Sequence, residues 1–258
     1  MSSSVTIDDD DDIVESDDSR PPPITLDALP PLSLGTPAPR VTAWLEKKGH
    51  AVPSRPSARV AASVRLHRGD ITRLAVSAIV NAANKACLGG GGVDGAIHRA
   101  AGPQLKAACR KLPFMSPGSR CDTGMAVVTP AFKLPCDIVI HTVGPIGEYP
   151  DQLTSAYRNS FRAGVSNGAT SIAFCCISTG VYGYPNISAA RVALQTLRAE
   201  LDALDASLPP SEPLPIIVLC LFLDVDVNVY TALLPAYFGR DADAAVEEES
   251  AGATQSHT

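Results

Sequence analysis

Between residues 58 and 239 the chain alternates short apolar runs with stretches whose apolar residues recur every three or four positions. Residues 62–68, 77–82, 125–129, 137–142, 171–177 and 215–222 read as six strands. Several hold unbroken apolar runs (AIV, IVI, IAFCCI, IIVLCLF), the pattern of strands covered on both faces. The clearest helix spans 188–204, where Ile187, Ala190, Leu194, Leu197, Leu201 and Leu204 form one stripe facing a sheet. Two more helices are predicted over 152–166 and 225–237. Residues 94–111 also read as helical, broken in two by Gly102-Pro103. Strands alternating with helices predict an α/β, three-layer α/β/α sandwich around a mostly parallel sheet.

The flanks differ in composition. Residues 23–57 form a proline-rich extension (Pro30, Pro31, Pro37, Pro39, Pro53, Pro56) around one short helix expected over 40–48, anchored by Trp44 and Leu45. Residues 1–22 and 240–258 lack the apolar content to order themselves and read as acidic, disordered tails. The formal charge of −6 hides this asymmetry: residues 1–20 carry −7, residues 239–258 carry −4, and the middle carries +5. A mildly basic middle suits an anionic ligand. No apolar run approaches the ~20 residues that span a bilayer, so no membrane role is expected. The acidic start resembles no export leader, and the seven cysteines lack CxxC spacing. The expectation is a monomeric intracellular protein, cytoplasmic or nuclear, with reduced thiols and no cofactor or metal.

The unusual segments all follow predicted strands. Gly69-Asp70-Ile71-Thr72 follows the first, and Asn81-Ala82-Ala83-Asn84 ends the second, leading to the tetraglycine 89–92 with Val93-Asp94-Gly95. His141–Pro145 ends the fourth, and Ser178-Thr179-Gly180-Val181-Tyr182-Gly183-Tyr184-Pro185 follows the fifth. In a parallel sheet the strand carboxyl ends share one edge, where ligands bind. Four consecutive glycines cost order without building a core, but they let a ligand approach backbone N–H groups just before a helix N-terminus. Gly90, Gly91, Gly92 and the similar loop 178–184 would together clamp a diphosphate.

Competing readings fail on spacing. Gly90-x-Gly92-x-x-Gly95 matches a dinucleotide fingerprint, but residues 84–88 separate it from its strand. The first acid after Asp94 is Asp122, too late to bind a ribose in that motif. No G-x-x-x-x-G-K-[ST] occurs. The five histidines show no metal spacing, and no G-x-S-x-G surrounds Ser178. Cys175 and Cys176 read as core residues of a strand.

Taken together, GDIT (69–72), AIVNAAN (78–84), GGGGVDGAIHRAAG (89–102), IHTVGP (140–145) and CISTGVYGYP (176–185) resemble the macrodomains, specifically the MacroD-type ADP-ribosylhydrolases, over roughly residues 60–238. The resemblance implies a mixed six-stranded sheet between helices. It implies hydrolysis of mono-ADP-ribose from aspartate and glutamate side chains of proteins, cleavage of O-acetyl-ADP-ribose, and in some members action on ADP-ribosylated nucleic-acid ends. It further implies that Asp70 accepts the adenine amino group beside the Ile71 backbone. The first glycine loop with Val93, and the backbone of Ser178, Thr179, Gly180, Val181 and Tyr182, would hold the diphosphate. Asn81 joins the ligand-binding set, Asn84 would bind the distal ribose, and Asp94 would direct water at the anomeric carbon. Tyr182 stands where many relatives have Phe, and residues 146–152 depart from the family pattern. A module that reads ADP-ribose without cleaving it is the alternative. Asn84 and Asp94 favour the hydrolase, because a reader has no need of both.

Overall fold

The structure, a computed structural model, describes residues 21–32 and 34–239. The acidic tails expected at 1–22 and 240–258 lie outside the described residues, apart from residues 21 and 22. In chain order the elements are β1 (Ile24–Thr25), α1 (Pro39–Lys47), α2 (Ala58–Ala62), β2 (Val64–Arg68), β3 (Leu74–Ala75), β4 (Ala78–Ala82), α3 (Gly92–Ala101), α4 (Pro103–Lys111), β5 (Ala126–Pro130), β6 (Ile138–Thr142), α5 (Pro150–Ser166), β7 (Ser171–Phe174), α6 (Asn186–Ser207), β8 (Ile216–Leu221) and α7 (Asp224–Phe238). Short 3-10 turns follow β1 and β2, at Leu26–Ala28 and Ile71–Arg73.

Six strands form one sheet in the order β2-β8-β7-β4-β6-β5, and every neighbouring pair is parallel except β5 with β6. The mixed, mostly parallel α/β architecture is the one the apolar runs predict. Those runs are buried: Ile79, Val80, Ile140, Ile172 and Phe174 are all at most 1% exposed. The chain leaves β4 for strands on one side and returns through β7 on the other. A crevice therefore opens between the connections that follow β4 and β7, at the topological switch point.

Sequence logic fixes the helix boundaries. Prolines open α1, α4 and α5, where the missing N–H has no helical partner to lose. Gly102, at φ 82°, separates α3 from α4. The structure corrects one strand: the ladder from β7 to its neighbours ends at Phe174, not 177. Cys175 and Cys176 thus lie in the turn toward Ser178, Cys175 buried and Cys176 half-buried, rather than inside a strand.

The proline-rich extension packs onto this body. Leu45 of α1 is fully buried, as expected of an anchor, and Trp44 is half-buried. Ile24 and Thr25 pair with Leu74 and Ala75 in a two-stranded parallel ribbon that no periodicity foreshadows. The tie is Arg198 of α6, 3% exposed. Its Nη2 donates to the Ser54 carbonyl at 2.7 Å, its Nη1 to the Tyr237 carbonyl, and its Nε to Asp202 at 2.8 Å. Arg198→Met keeps the volume but strips two sheltered carbonyls of their donor and leaves Asp202 unpaired. A loss of about 2–4 kcal/mol is expected in urea unfolding. An unchanged midpoint would show that this arginine does not bind the extension to the body.

Candidate functional site

Asp94 lies at the centre of the site. It sits in the first turn of α3, where the helix dipole favours a carboxylate, yet it is only 3% exposed. Its Oδ1 accepts a hydrogen bond from Asn81 Nδ2 at 2.8 Å and lies 3.4 Å from His98 Nε2, one helical turn on. Its Oδ2 lies 3.1 Å from where a side chain on Gly90 would begin, so the carboxylate fills the space behind the glycine loop. Burial pushes its pKa above the ordinary carboxylate value, and the hydrogen bond from Asn81, then His98, pull it back in part. Burial lowers the His98 pKa despite Asp94, with Lys106 adding to the effect, so His98 is neutral at physiological pH.

The glycine loop has two faces. A Cβ on Gly95 would strike the Gly90 carbonyl, so this glycine lets the loop close onto α3. Gly91 and Gly92 are exposed, with no heavy atom within 4 Å of where their Cβ atoms would stand, and Gly91 caps α3. Here bare backbone N–H groups at a helix N-terminus meet open space. Asn84 shapes the loop from below: its Nδ2 donates to the Gly89 carbonyl at 3.0 Å and its Oδ1 accepts from Ala86 N at 3.1 Å. One amide hydrogen and one lone pair remain for a ligand.

The opposite wall is the turn after β7. Ser178 is buried with φ 69°, a left-handed conformation uncommon outside glycine. It is held by Tyr184 N, which donates to its carbonyl at 3.0 Å. A Cβ on Gly144 would clash with Ser178 Oγ, so the glycine after β6 gives this turn its room. From beneath, the buried Tyr157 hydroxyl accepts from Ile177 N at 3.2 Å and donates to the Cys175 carbonyl at 3.4 Å. Gly147 N donates to the Tyr182 carbonyl at 2.8 Å, joining the β6 and β7 loops. Thr179 Oγ1 donates to the Cys176 carbonyl at 3.3 Å, Gly180 is open, and Val181 is 92% exposed. Burial raises the Tyr182 pKa, and the Asp94 charge raises it further.

At the far end, Asp70 caps the turn after β2 by accepting from Thr72 N at 2.9 Å and Thr72 Oγ1 at 2.8 Å, both through Oδ1. The residue is exposed, so Oδ2 remains available, while the Ile71 side chain is buried beside it. The sequence reading missed Phe222. It follows Leu221, whose carbonyl accepts from Gly69 N at 3.0 Å, and the residue is 72% exposed. The signal was an aromatic ending an apolar run, and that run counted it as strand.

The structure corrects the impression that the histidines are scattered. Among the described residues, His98, Cys109 and His141 bring potential ligand atoms within 4.8 Å of one another. His141 nevertheless has no lone pair for an ion. Its Nδ1 faces the Asn81 amide nitrogen at 3.1 Å and its Nε2 lies 2.9 Å from Thr129 Oγ1. Asn81, grouped with the ligand-binding residues above, is fully buried, with its amide nitrogen committed to Asp94 and His141.

A parallel-sheet crevice with bare backbone N–H groups at a helix N-terminus beside a buried carboxylate is an arrangement that suits an anionic ligand. Residues 80–193 match the Macro domain family model. The chain is 45% identical over 192 residues to the human ADP-ribose glycohydrolase MACROD2, covering 72% of this chain and 42% of that one. It is 48% identical to a macro domain-containing protein of Ralstonia nicotianae, covering 67% of this chain and 94% of the relative. A Trypanosoma brucei macrodomain solved with ADP-ribose superposes with a TM-score of 0.66 at 38% identity, over 83% of this chain and 78% of that one. The chain belongs to the macrodomain family. It spans about two-fifths of the length of the human glycohydrolase it resembles.

The raised Asp94 pKa has a consequence for stability. A carboxyl whose folded pKa exceeds its unfolded value contributes most below the unfolded pKa, and that contribution is lost as pH rises through the folded one. Asp94→Asn, which keeps an acceptor for Asn81, should therefore raise Tm at neutral pH by roughly 2–4 °C, the equivalent of about 1 kcal/mol. The gain should vanish below about pH 4. A lower Tm at neutral pH would mean that the ionised carboxylate stabilises the fold.

Proposed function

We propose that this protein is a hydrolase that removes single ADP-ribose units from modified aspartate and glutamate side chains of proteins. The observation that carries the reading is Asp94, a carboxylate 3% exposed behind the glycine loop and held by Asn81. A site that only held a diphosphate would gain nothing from a negative charge there, because like charges repel at short range. The relatives named ADP-ribose glycohydrolase support the same reading.

In this reading the macrodomain runs over 58–239, and the ligand lies along the crevice. Phe222 covers one face of the adenine, Asp70 Oδ2 accepts its amino group, and the Ile71 backbone lies alongside. The diphosphate takes the N–H groups of Gly90, Gly91, Gly92 and Val93 on one wall and of Ser178, Thr179, Gly180, Val181 and Tyr182 on the other. Asn84 holds the distal ribose with its remaining donor and acceptor. Asn81 orients Asp94 instead of touching the ligand.

The chemistry asks little of the protein. In the ester, the bond between the anomeric carbon and the carboxylate oxygen breaks, and the carboxylate departs with the bonding electrons, needing no proton at neutral pH. Water adds to the anomeric carbon and gives its proton to Asp94, whose raised pKa makes it a better base than an ordinary aspartate. The same carboxylate stabilises positive charge developing at that carbon. O-acetyl-ADP-ribose carries an ester on the same ribose; there the water directed by Asp94 would add to the acetyl carbonyl carbon instead, the acyl–oxygen bond would break, and acetate and ADP-ribose would leave.

The test separates binding from turnover. Asp94→Ala should bind ADP-ribose as tightly as the wild type, or slightly better, while single-turnover release from a Glu-modified protein slows by about 10²-fold or more. Asn84→Ala should lose both, because it misplaces the ribose and relaxes the loop. Full activity of Asp94→Ala would move catalysis to another group, and no release by the wild type would leave the site a reader of ADP-ribose.

A further inference from the structure

Behind the carboxylate lies a line of buried polar groups with no assigned role. His141 lies within β6, in the otherwise apolar run IVIHT, and is 0% exposed, as is Asn81 beside it at the end of β4. Strand register makes the two direct neighbours. A polar side chain so placed is costly unless every hydrogen-bonding atom is matched.

Asn81 Oδ1 finds no partner among the described residues, but the Asn81 NH2 and both His141 nitrogens are matched, and those contacts fix the protons. Asn81 must turn its NH2 toward Asp94, since an amide oxygen facing a carboxylate would repel it. One hydrogen of that NH2 goes to Asp94 Oδ1 at 2.8 Å, which leaves the other for His141 Nδ1 at 3.1 Å. Nδ1 must therefore be the acceptor, and the ring proton stands on Nε2, where Thr129 Oγ1 receives it at 2.9 Å. Thr129 is itself 3% exposed. Burial, with His98 adding to it, holds the His141 pKa at about 3, so the ring stays neutral across the working pH range.

We propose that His141 is a positioning residue for the hydrolysis: as the neutral, Nε2-protonated imidazole it fixes the Asn81 amide, and through it the aim and ionisation of Asp94. This rests on the reading of Asp94 as the catalytic carboxylate. Without the His141 acceptor the Asn81 amide can rotate, and Asp94 loses the hydrogen bond that most opposes its burial. The other titratable groups near Asp94 are His98 on its own helix, Cys87 from the loop after β4, Cys109 from α4, and Cys175 and Tyr182 after β7. Of these, Cys109 and Cys175 titrate only at about 12, and the Tyr182 pKa is raised. Hydrogen bonding to Cys121 lowers the Cys87 pKa, and burial lowers that of His98.

Two side chains divide the imidazole's work. Asparagine places its amide oxygen near the Nδ1 position, whereas glutamine places its amide near Nε2. His141→Asn should keep the acceptor for Asn81 and most of the single-turnover rate. His141→Gln should lower the rate by about tenfold or more with ADP-ribose affinity within twofold, and should move the acidic limb of the pH–rate profile upward. Thr129→Val, which removes the partner of Nε2–H, should give an intermediate loss. Nitrogen NMR of the wild-type protein needs no variant and should show His141 as the Nε2–H tautomer, unchanged from pH 5 to 8. Equal rates and pH profiles for wild type and His141→Gln would overturn the proposal, as would an Nδ1–H ring or one that titrates in that range. If the wild type releases no ADP-ribose, the hydrolase reading fails instead; if Asp94→Ala is fully active, the catalytic role of Asp94 fails. The tautomer measurement still decides whether the relay exists.

Discussion

A single hydrogen bond, from Asn81 Nδ2 to Asp94 Oδ1 at 2.8 Å, organises the site. It joins the sheet to the first turn of α3 in a place where neither group meets bulk water. Burial alone would drive Asp94 toward its neutral acid. The amide donor and the helix N-terminus oppose that, so the side chain can remain a carboxylate and a stronger base than an exposed one. The position of the glycine loop follows from it. Asp94 Oδ2 and Asn84 Nδ2 fill the space beside Gly90, and the loop's outer glycines are turned to the crevice.

The facing wall stores strain for a similar purpose. Ser178 adopts a backbone conformation costing on the order of 1–3 kcal/mol, and its buried hydroxyl finds no partner among the described residues. The absence of a side chain at Gly144, the hydroxyl of Tyr157 and the bond from Tyr184 N together hold it there. Two walls that present bare backbone to the same space are thus held by side chains on the body behind them. This is how a loop site keeps its shape before a ligand arrives.

Much of this was legible in the chain. All six strands were read, several of them as apolar runs because strands covered on both faces must be apolar throughout, and four match their observed limits within one residue at each end. The special loops were visible because glycine tracts and positions needing left-handed backbone stand out against helices and strands. What the sequence hid depends on distance along the chain. Thr129, His141, Asn81 and Asp94 come from three strands and a helix, and only the register of β4 and β6 sets them side by side. The one local clue was a histidine inside IVIHT, where an unmatched polar group would be costly. The Ile24–Thr25 ribbon left no trace, since two residues carry no period. Phe222 was hidden in its own apolar run, because exposure at a strand's end cannot be read from residue type.

The account turns on Asp94 being ionised at neutral pH although buried. Carbon NMR of the aspartate carboxyl groups, followed from pH 3 to 8 and assigned through Asp94→Asn, measures this directly. The expected trace shows the Asp94 resonance titrating above the ordinary aspartate range and complete before pH 7. An Asp94 that titrates with the exposed aspartates, or stays protonated at neutral pH, would contradict the account.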